Sequence, residues 1–264
     1  MRIPAMGAFV ILLAALCVSS GAQEPPPDSF EAKLEAIDIE VRKQETSAEK
    51  LEDQYLALLE GDLTPEQRGL VYVHITNIGR YCHVPGDVRE AYALEALSYP
   101  LATTDALAMH VARARILRKR YADWRGRRFA LGRRRIVDAA LAALKFALDN
   151  GAPRKRVPLP GIGRMSAVEP SEEDRRRHEA QVAARGAAQQ MERLWGARLT
   201  MTHTCAELYS RQPVDPEELR ARASEALKDY PEAVQDVMDK LEEMLAYRRG
   251  ERPRPPAPTL GGEE

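Results

Sequence analysis

The sequence predicts an all-α protein: stacked antiparallel helical hairpins, in an irregular solenoid or a bundle, behind a long N-terminal helix. Three observations point there. Ala, Leu, Arg and Glu dominate, while aromatic residues make up 6% of the 264 residues. Those abundant side chains lose little rotamer freedom in a helix. Apolar residues recur at steps of three and four through most of the chain. No convincing run of period-two alternation occurs: Val71-Tyr-Val-His-Ile75 is β-friendly by propensity, but it follows a capped helix start.

The first 22 residues have the layout of a secretory signal peptide. Arg2 supplies a basic start, Phe9 to Val18 is unbroken apolar sequence, and Ser20-Gly21-Ala22 is a small-residue exit. The apolar run is too short to span a bilayer as an ordinary helix. The expectation is therefore export, periplasmic or secreted, with cleavage near Ala22. Leu16 stands before Cys17, where a lipoprotein site needs a small residue, so lipid anchoring is disfavoured. No second long apolar stretch follows, and no Asn-x-Ser/Thr acceptor occurs.

Residues 23–29 form a Pro-rich spacer, stiffened by Pro25-Pro26-Pro27. A long helix is expected over 30–60. Its seam, Phe30, Leu34, Ile37, Val41, Ala48, Leu51, Tyr55 and Leu58, steps by four and three with Gln44 as the break. Such a seam can zip with a second copy, making residues 30–60 a route to a homo-oligomer, or pack along its own chain. The flanking charges favour the second: in a parallel dimer Glu40 would face Glu45. Residues 61–153 read as a helical-hairpin array. Thr64 with Pro65 starts a helix to about Tyr81, Asp87 caps Val88–Ser98, and Thr103 or Thr104 caps Asp105–Trp124. A further helix, Arg134–Asp149, is stopped by Asn150-Gly151. Residues 154–170 read as a loop. Residues 171–248 hold the C-terminal helices: one from a Ser171 cap to about Tyr209, then Glu217–Lys228 and Pro231–Tyr247. Residues 249–264 are a Pro/Gly-rich tail expected to be disordered.

Two segments echo each other. Glu95-Ala-Leu-Ser-Tyr-Pro100 and Glu225-Ala-Leu-Lys-Asp-Tyr-Pro231 each close one helix and lead into the next, and Ala140 to Leu148 carries small residues every three or four places. Ala96, Leu97 and Pro100, and again Ala226, Leu227 and Pro231, resemble the Ala-Leu and closing Pro on the second helix of tetratricopeptide-type repeats. The resemblance covers about a third of the chain. The Trp, Gly and Tyr marks of a repeat's first helix are not matched in Thr64–Tyr81, and the echoes lie about 130 residues apart rather than near 34. The resemblance implies a partner-binding scaffold rather than a catalyst.

Net charge is −1, but charge is segregated. Glu24–Asp62 holds twelve acids and four bases, and Asp215–Glu243 ten acids and four bases. Between them lie Arg113, Arg115, Arg118, Lys119, Arg120, Arg125, Arg127, Arg128, Arg133, Arg134 and Arg135, with Asp123 the one acid. Three readings stand: the basic stretch is paired by the acidic helices, binds an acidic protein, or binds an anionic polymer or membrane surface. Nucleic acid is disfavoured by the predicted export and by thin aromatic interleaving, Tyr121, Trp124 and Phe129.

No HExxH, GxSxG, CxxC or CxxCH motif occurs, and Gly161-Ile-Gly163 lacks the third glycine of a dinucleotide loop. Cys82 and Cys205 are either a disulfide, which an exported protein permits, or two buried thiols. Cys82-His83, His74 and His203-Thr-Cys205 invite a zinc reading. Adjacent ligands on a helix point apart, however, so no metal is expected. Asp174 and His178 share a helix face amid Arg175–Arg177, as an exposed charged turn would. The function expected is an exported, non-catalytic scaffold or adaptor for a protein partner, with no cofactor. The rivals are an electrostatic binder of an anionic polymer or membrane surface and an enzyme of unrecognised type.

Overall fold

The computed structural model describes residues 26, 29–43, 45–78, 85–121, 126–161, 171–210 and 215–251, the side chains of 126–130 excepted. The signal peptide, residues 162–170 of the loop and residues 252–264 of the tail lie outside these. Among the described residues the chain forms nine α-helices and no strand: α1 (Phe30–Lys43), α2 (Ala48–Leu58), α3 (Pro65–Ile78), α4 (Gly86–Ala96), α5 (Thr103–Tyr121), α6 (Gly126–Asp149), α7 (Glu172–Ser210), α8 (Pro216–Ala226) and α9 (Pro231–Arg248). The fold is all-α.

Local chemistry sets the boundaries. At α3, the Thr64 amide donates to Gln67 Oε1 at 3.1 Å and the Gln67 amide donates to Thr64 Oγ1 at 3.3 Å, a reciprocal capping box. Ser171 and Asp174 make the same exchange at α7. Asp215 caps α8 by accepting from the Glu217 amide at 2.9 Å, with Pro216 in the first turn. Gly151 ends α6. It sits at φ 82°, and bonds from its own amide to Leu148 O and from the Ala152 amide to Ala147 O satisfy two terminal carbonyls.

Four boundaries differ from the sequence reading. One is the start of α5, which begins at Thr103 itself with Ala102 O accepting from the Asp105 and Ala106 amides, so neither Thr103 nor Thr104 is the cap. The helix expected over 30–60 is two helices. Ser47, extended at φ −64° and ψ 152°, accepts from the Lys50 amide and starts α2 anew. Asp87 lies in the first turn of α4, which begins at Gly86 without a side-chain cap. The helix expected from Arg134 begins at Gly126.

The helices touch in a regular order. Each contacts the next, and α1, α3, α5, α7 and α9 also contact one another in series. Helices α1 and α2 pack mainly on each other and on α3, and Tyr92 of α4 also reaches α2. The core is correspondingly segmented. Leu34, Ile37, Leu51 and Tyr55 pack with Val71 and Ile75 of α3. Val73, on the opposite face of α3, joins Ala93, Ala96, Met109, Ala112 and Ile116. The other side of α5, through Ala114, Leu117 and Tyr121, enters the largest core with Ile136, Leu141, Leu144, Met201, Leu219, Val237 and Leu241. Helices α3 and α5 thus bury two faces each, which blurs the single apolar stripe of an ordinary surface helix.

Two helices approach closely where α5 meets α6. A Cβ on Gly132 would lie 2.5 Å from Tyr121 Cγ, so only glycine fits. Helix α7 has a different character at each end. From Glu172 to Ala187 almost every residue is exposed, whereas Leu194, Met201, Cys205 and Tyr209 are buried.

Candidate functional site

The basic stretch is largely paired. Glu90, 5% exposed on α4, receives Arg135 Nη2 on both carboxylate oxygens at 2.9 Å; Arg113 Nε lies at 3.5 Å and Arg120 Nη1 at 3.8 Å. Arg135 also donates to the Tyr121 hydroxyl at 2.8 Å. Glu218 on α8 takes Arg134 at 2.9 Å and Arg133 at 3.5 Å, and the Arg133 guanidinium stands 4.8 Å over the Tyr209 ring. Arg118 meets Glu207 at 2.6 Å. Lys119 and Arg115 are exposed. Arg125 lies outside the described residues, as do the side chains of Arg127 and Arg128. The acids that meet this stretch come from α4, α7 and α8, so most of its described charge is met within the fold.

The acids of the N-terminal helices behave differently. The bonds they make here are to Tyr, Gln and His side chains rather than to Lys or Arg. Tyr92 donates to Glu52 at 2.5 Å, Gln54 Nε2 to Glu40 at 3.2 Å and Gln67 Nε2 to Glu31 at 3.4 Å. Asp38 Oδ1 accepts from the Tyr55 hydroxyl at 2.5 Å and from His74 Nδ1 at 2.8 Å, tying α1 to α2 and α3. Burial, the largest single influence, pushes the Asp38 carboxyl up. The hydrogen bond and charge of His74, the Tyr55 hydroxyl and Arg42 together outweigh it and hold the group below its ordinary 3.8. Asp38 is therefore a carboxylate, which only accepts, so His74 carries its proton on Nδ1. Burial first, and then Asp38, push the Tyr55 phenol far above its ordinary 10.0, so it stays a donor.

A lowered native pKa adds stability that is complete above the unfolded value and lost as pH falls through the native one. Asp38→Asn is accordingly expected to flatten the fall in stability below about pH 4. Urea midpoints of wild type and variant across that range check this; parallel curves would mean that Asp38 carries no such linkage.

Beside this network runs a groove. One depression, about 260 Å³, is lined by Phe30, Leu34 and Leu70 with Glu31, Glu35, Asp38, Glu66 and Gln67 around them. A second, about 450 Å³, is lined by Glu66, Leu70, Pro100, Leu101, Ala102 and Asp105. The spacing of these residues explains the site. Residues 31, 34, 35 and 38 share one face of α1, and 66, 70 and 74 one face of α3, at helical steps of three and four. The start of α5 brings Asp105, which burial, above all, raises against the lowering charges of His74 and Arg193. The acid-rich zone 24–62 was visible in the sequence as charge. Its apposition to Leu70 and Leu101 was not, because those residues come from distant segments.

Of the pair Cys82 and Cys205, Cys82 lies outside the described residues, as do Cys17 and His83. Cys205 is a fully buried free thiol that burial, and then the charge of Asp138, push up to about 12. A thiol there is not a thiolate at neutral pH and is chemically quiet. His203, two residues away, faces solvent. Among the described residues no three His, Cys, Asp or Glu side chains converge as a metal site would require, and no helix is long and apolar enough to cross a membrane. Asp174 bonds to Ser171 at the start of α7, and His178 is not in that network.

No protein-family model matches the chain, no curated protein matches it in sequence, and no solved structure matches its fold.

Proposed function

We propose that the protein is an exported, non-catalytic helical scaffold that binds a protein partner through the side shared by its odd-numbered helices. The groove formed on α3 between α1 and the start of α5 carries this reading. It is open and shallow, with an apolar floor and a charged rim, as suits a protein or peptide surface better than a small substrate that must be enclosed. The serial contacts of α1, α3, α5, α7 and α9 support the hairpin-array expectation, in which one set of helices lines a recognition surface. The resemblance of Ala96-Leu97-Pro100 and Ala226-Leu227-Pro231 to tetratricopeptide-type repeats points the same way. An anionic polymer or membrane surface would have to bind through the basic stretch, where Arg113, Arg118, Arg120, Arg133, Arg134 and Arg135 already have acidic partners.

The chain from Gln23 onward, used as bait in an extract of exported proteins, is expected to retain a discrete protein at about 0.3 M salt, where exposed charges are strongly screened. Retention of only anionic polymer or lipid, released by that salt, would replace the scaffold reading with the electrostatic one.

A further inference from the structure

We infer that the groove on α3 takes a cationic amphipathic segment of the partner, an assignment that rests on the scaffold reading above. The two depressions share Glu66 and Leu70, so they lie side by side on α3 with Leu70 between them, and are taken together as one groove. The floor offers apolar surface on both sides of Leu70: Phe30 and Leu34 on one, Pro100 and Leu101 on the other. Two apolar side chains of a ligand, one in each depression, would cover surface that now faces water.

The rim carries one sign of charge, from Glu31, Glu35, Glu66 and Asp105 with Asp38 behind them. Asp38 is engaged by Tyr55 and His74, and Glu31 accepts from Gln67. Among the described residues, no Lys or Arg comes within 4.0 Å of Glu31, Glu35, Glu66 or Asp105. Elsewhere this chain meets its dense charge with partners: Glu90 gathers three arginines, and Glu218 draws on Arg133 and Arg134. The acids around the groove instead surround a partly exposed apolar floor, in which Leu34 is buried and Phe30, Leu70 and Leu101 are half-buried, and no Lys or Arg pairs with them at close range. That pairing of features selects a ligand with leucine-like anchors and Lys or Arg beside them, and it disfavours acidic partners through like-charge repulsion. The field of the rim would also raise the encounter rate of such a segment.

The test titrates the chain from Gln23 onward into a fluorescent helical peptide of Leu and Lys, about 18 residues or five turns long, read by anisotropy. Two companion peptides run beside it, one with Ser in place of Leu and one with Glu in place of Lys. The Leu/Lys peptide is expected to bind, the Ser/Lys peptide at least about tenfold more weakly, and the Leu/Glu peptide weakest of all. Glu35→Gln with Glu66→Gln, both exposed positions, should weaken the Leu/Lys peptide about tenfold. Glu179→Gln with Glu225→Gln, exposed acids away from the groove, should change little. Equal losses in the two double variants, or equal binding of the Ser/Lys peptide, would reduce the effect to bulk charge and overturn the assignment. If a protein partner is retained by the bait yet ignores the groove variants, the groove assignment falls and the scaffold reading stands. If no partner is retained, the scaffold reading itself falls.

Discussion

Glu90→Ala is expected to lower stability by about 3–5 kcal/mol, the range for removing one partner of a buried charge cluster. The carboxylate holds Arg135 bidentately and has Arg113 and Arg120 within 4.0 Å. Removing it leaves three guanidinium groups, two from α5 and one from α6, gathered where α4 supplied the counter-charge. Arg135 is half exposed and can swing to water, which places the expectation at the lower end of the range. The variant's deficit should shrink as salt rises, because the remaining repulsion is screened. Glu90→Gln should fall between wild type and Ala, since it keeps an acceptor but loses the charge. Urea midpoints measured at low and high salt decide it; an unchanged midpoint in Glu90→Ala would mean that the cluster contributes nothing.

Gly132→Ala should also destabilise, by about 2 kcal/mol, although alanine is the better helix former by about 1 kcal/mol. The new methyl would stand 2.5 Å from Tyr121 Cγ and 2.9 Å from Tyr121 Cβ, atoms too near the backbone to move aside. The ring is buried and its hydroxyl accepts from Arg135. Overpacking of this kind costs about 1–3 kcal/mol, and here it also displaces the arginine that holds Glu90. The two variants should therefore be non-additive: with Glu90 already gone, Gly132→Ala should cost less. A double-mutant cycle in urea measures that coupling. A Gly132→Ala protein more stable than wild type would show that propensity outweighs the contact.

The all-α fold and most helices were legible because caps and stops are local. Thr64, Ser171 and Gly151 act within a few residues of themselves, and each does in the structure what its sequence position implies. The break between α1 and α2 was hidden by arithmetic. Val41 and Ala48 are seven residues apart, so the apolar step keeps heptad register across the interruption. Gln44, the gap in the seam, and Ser47, a good cap, were the available signals. The start of α6 was missed because Gly126 and Gly132 amid arginines look like a loop. Gly132 is there for the approach of Tyr121, a tertiary cause that no local pattern records.

The candidate site was legible only in part. The basic stretch stands out in sequence because its residues are neighbours, and most of those described are met by acids from elsewhere. The groove was not legible. It is assembled from residues 30–38, 66–70 and 100–105, none of which is unusual alone.

The first two described helices are moored to the rest of the described fold chiefly through α3, with one further tie from Tyr92 of α4 to Glu52 of α2. Local opening is easiest at an end that has few neighbours. The wall that carries Glu31, Leu34, Glu35 and Asp38 therefore belongs to the least-buttressed hairpin among the described residues. Whatever settles between α1 and α3 would clamp that hairpin shut, and whatever loosens the hairpin would release the guest. On the proposed reading, occupancy of the groove and closure of the first described hairpin would be two readings of a single equilibrium.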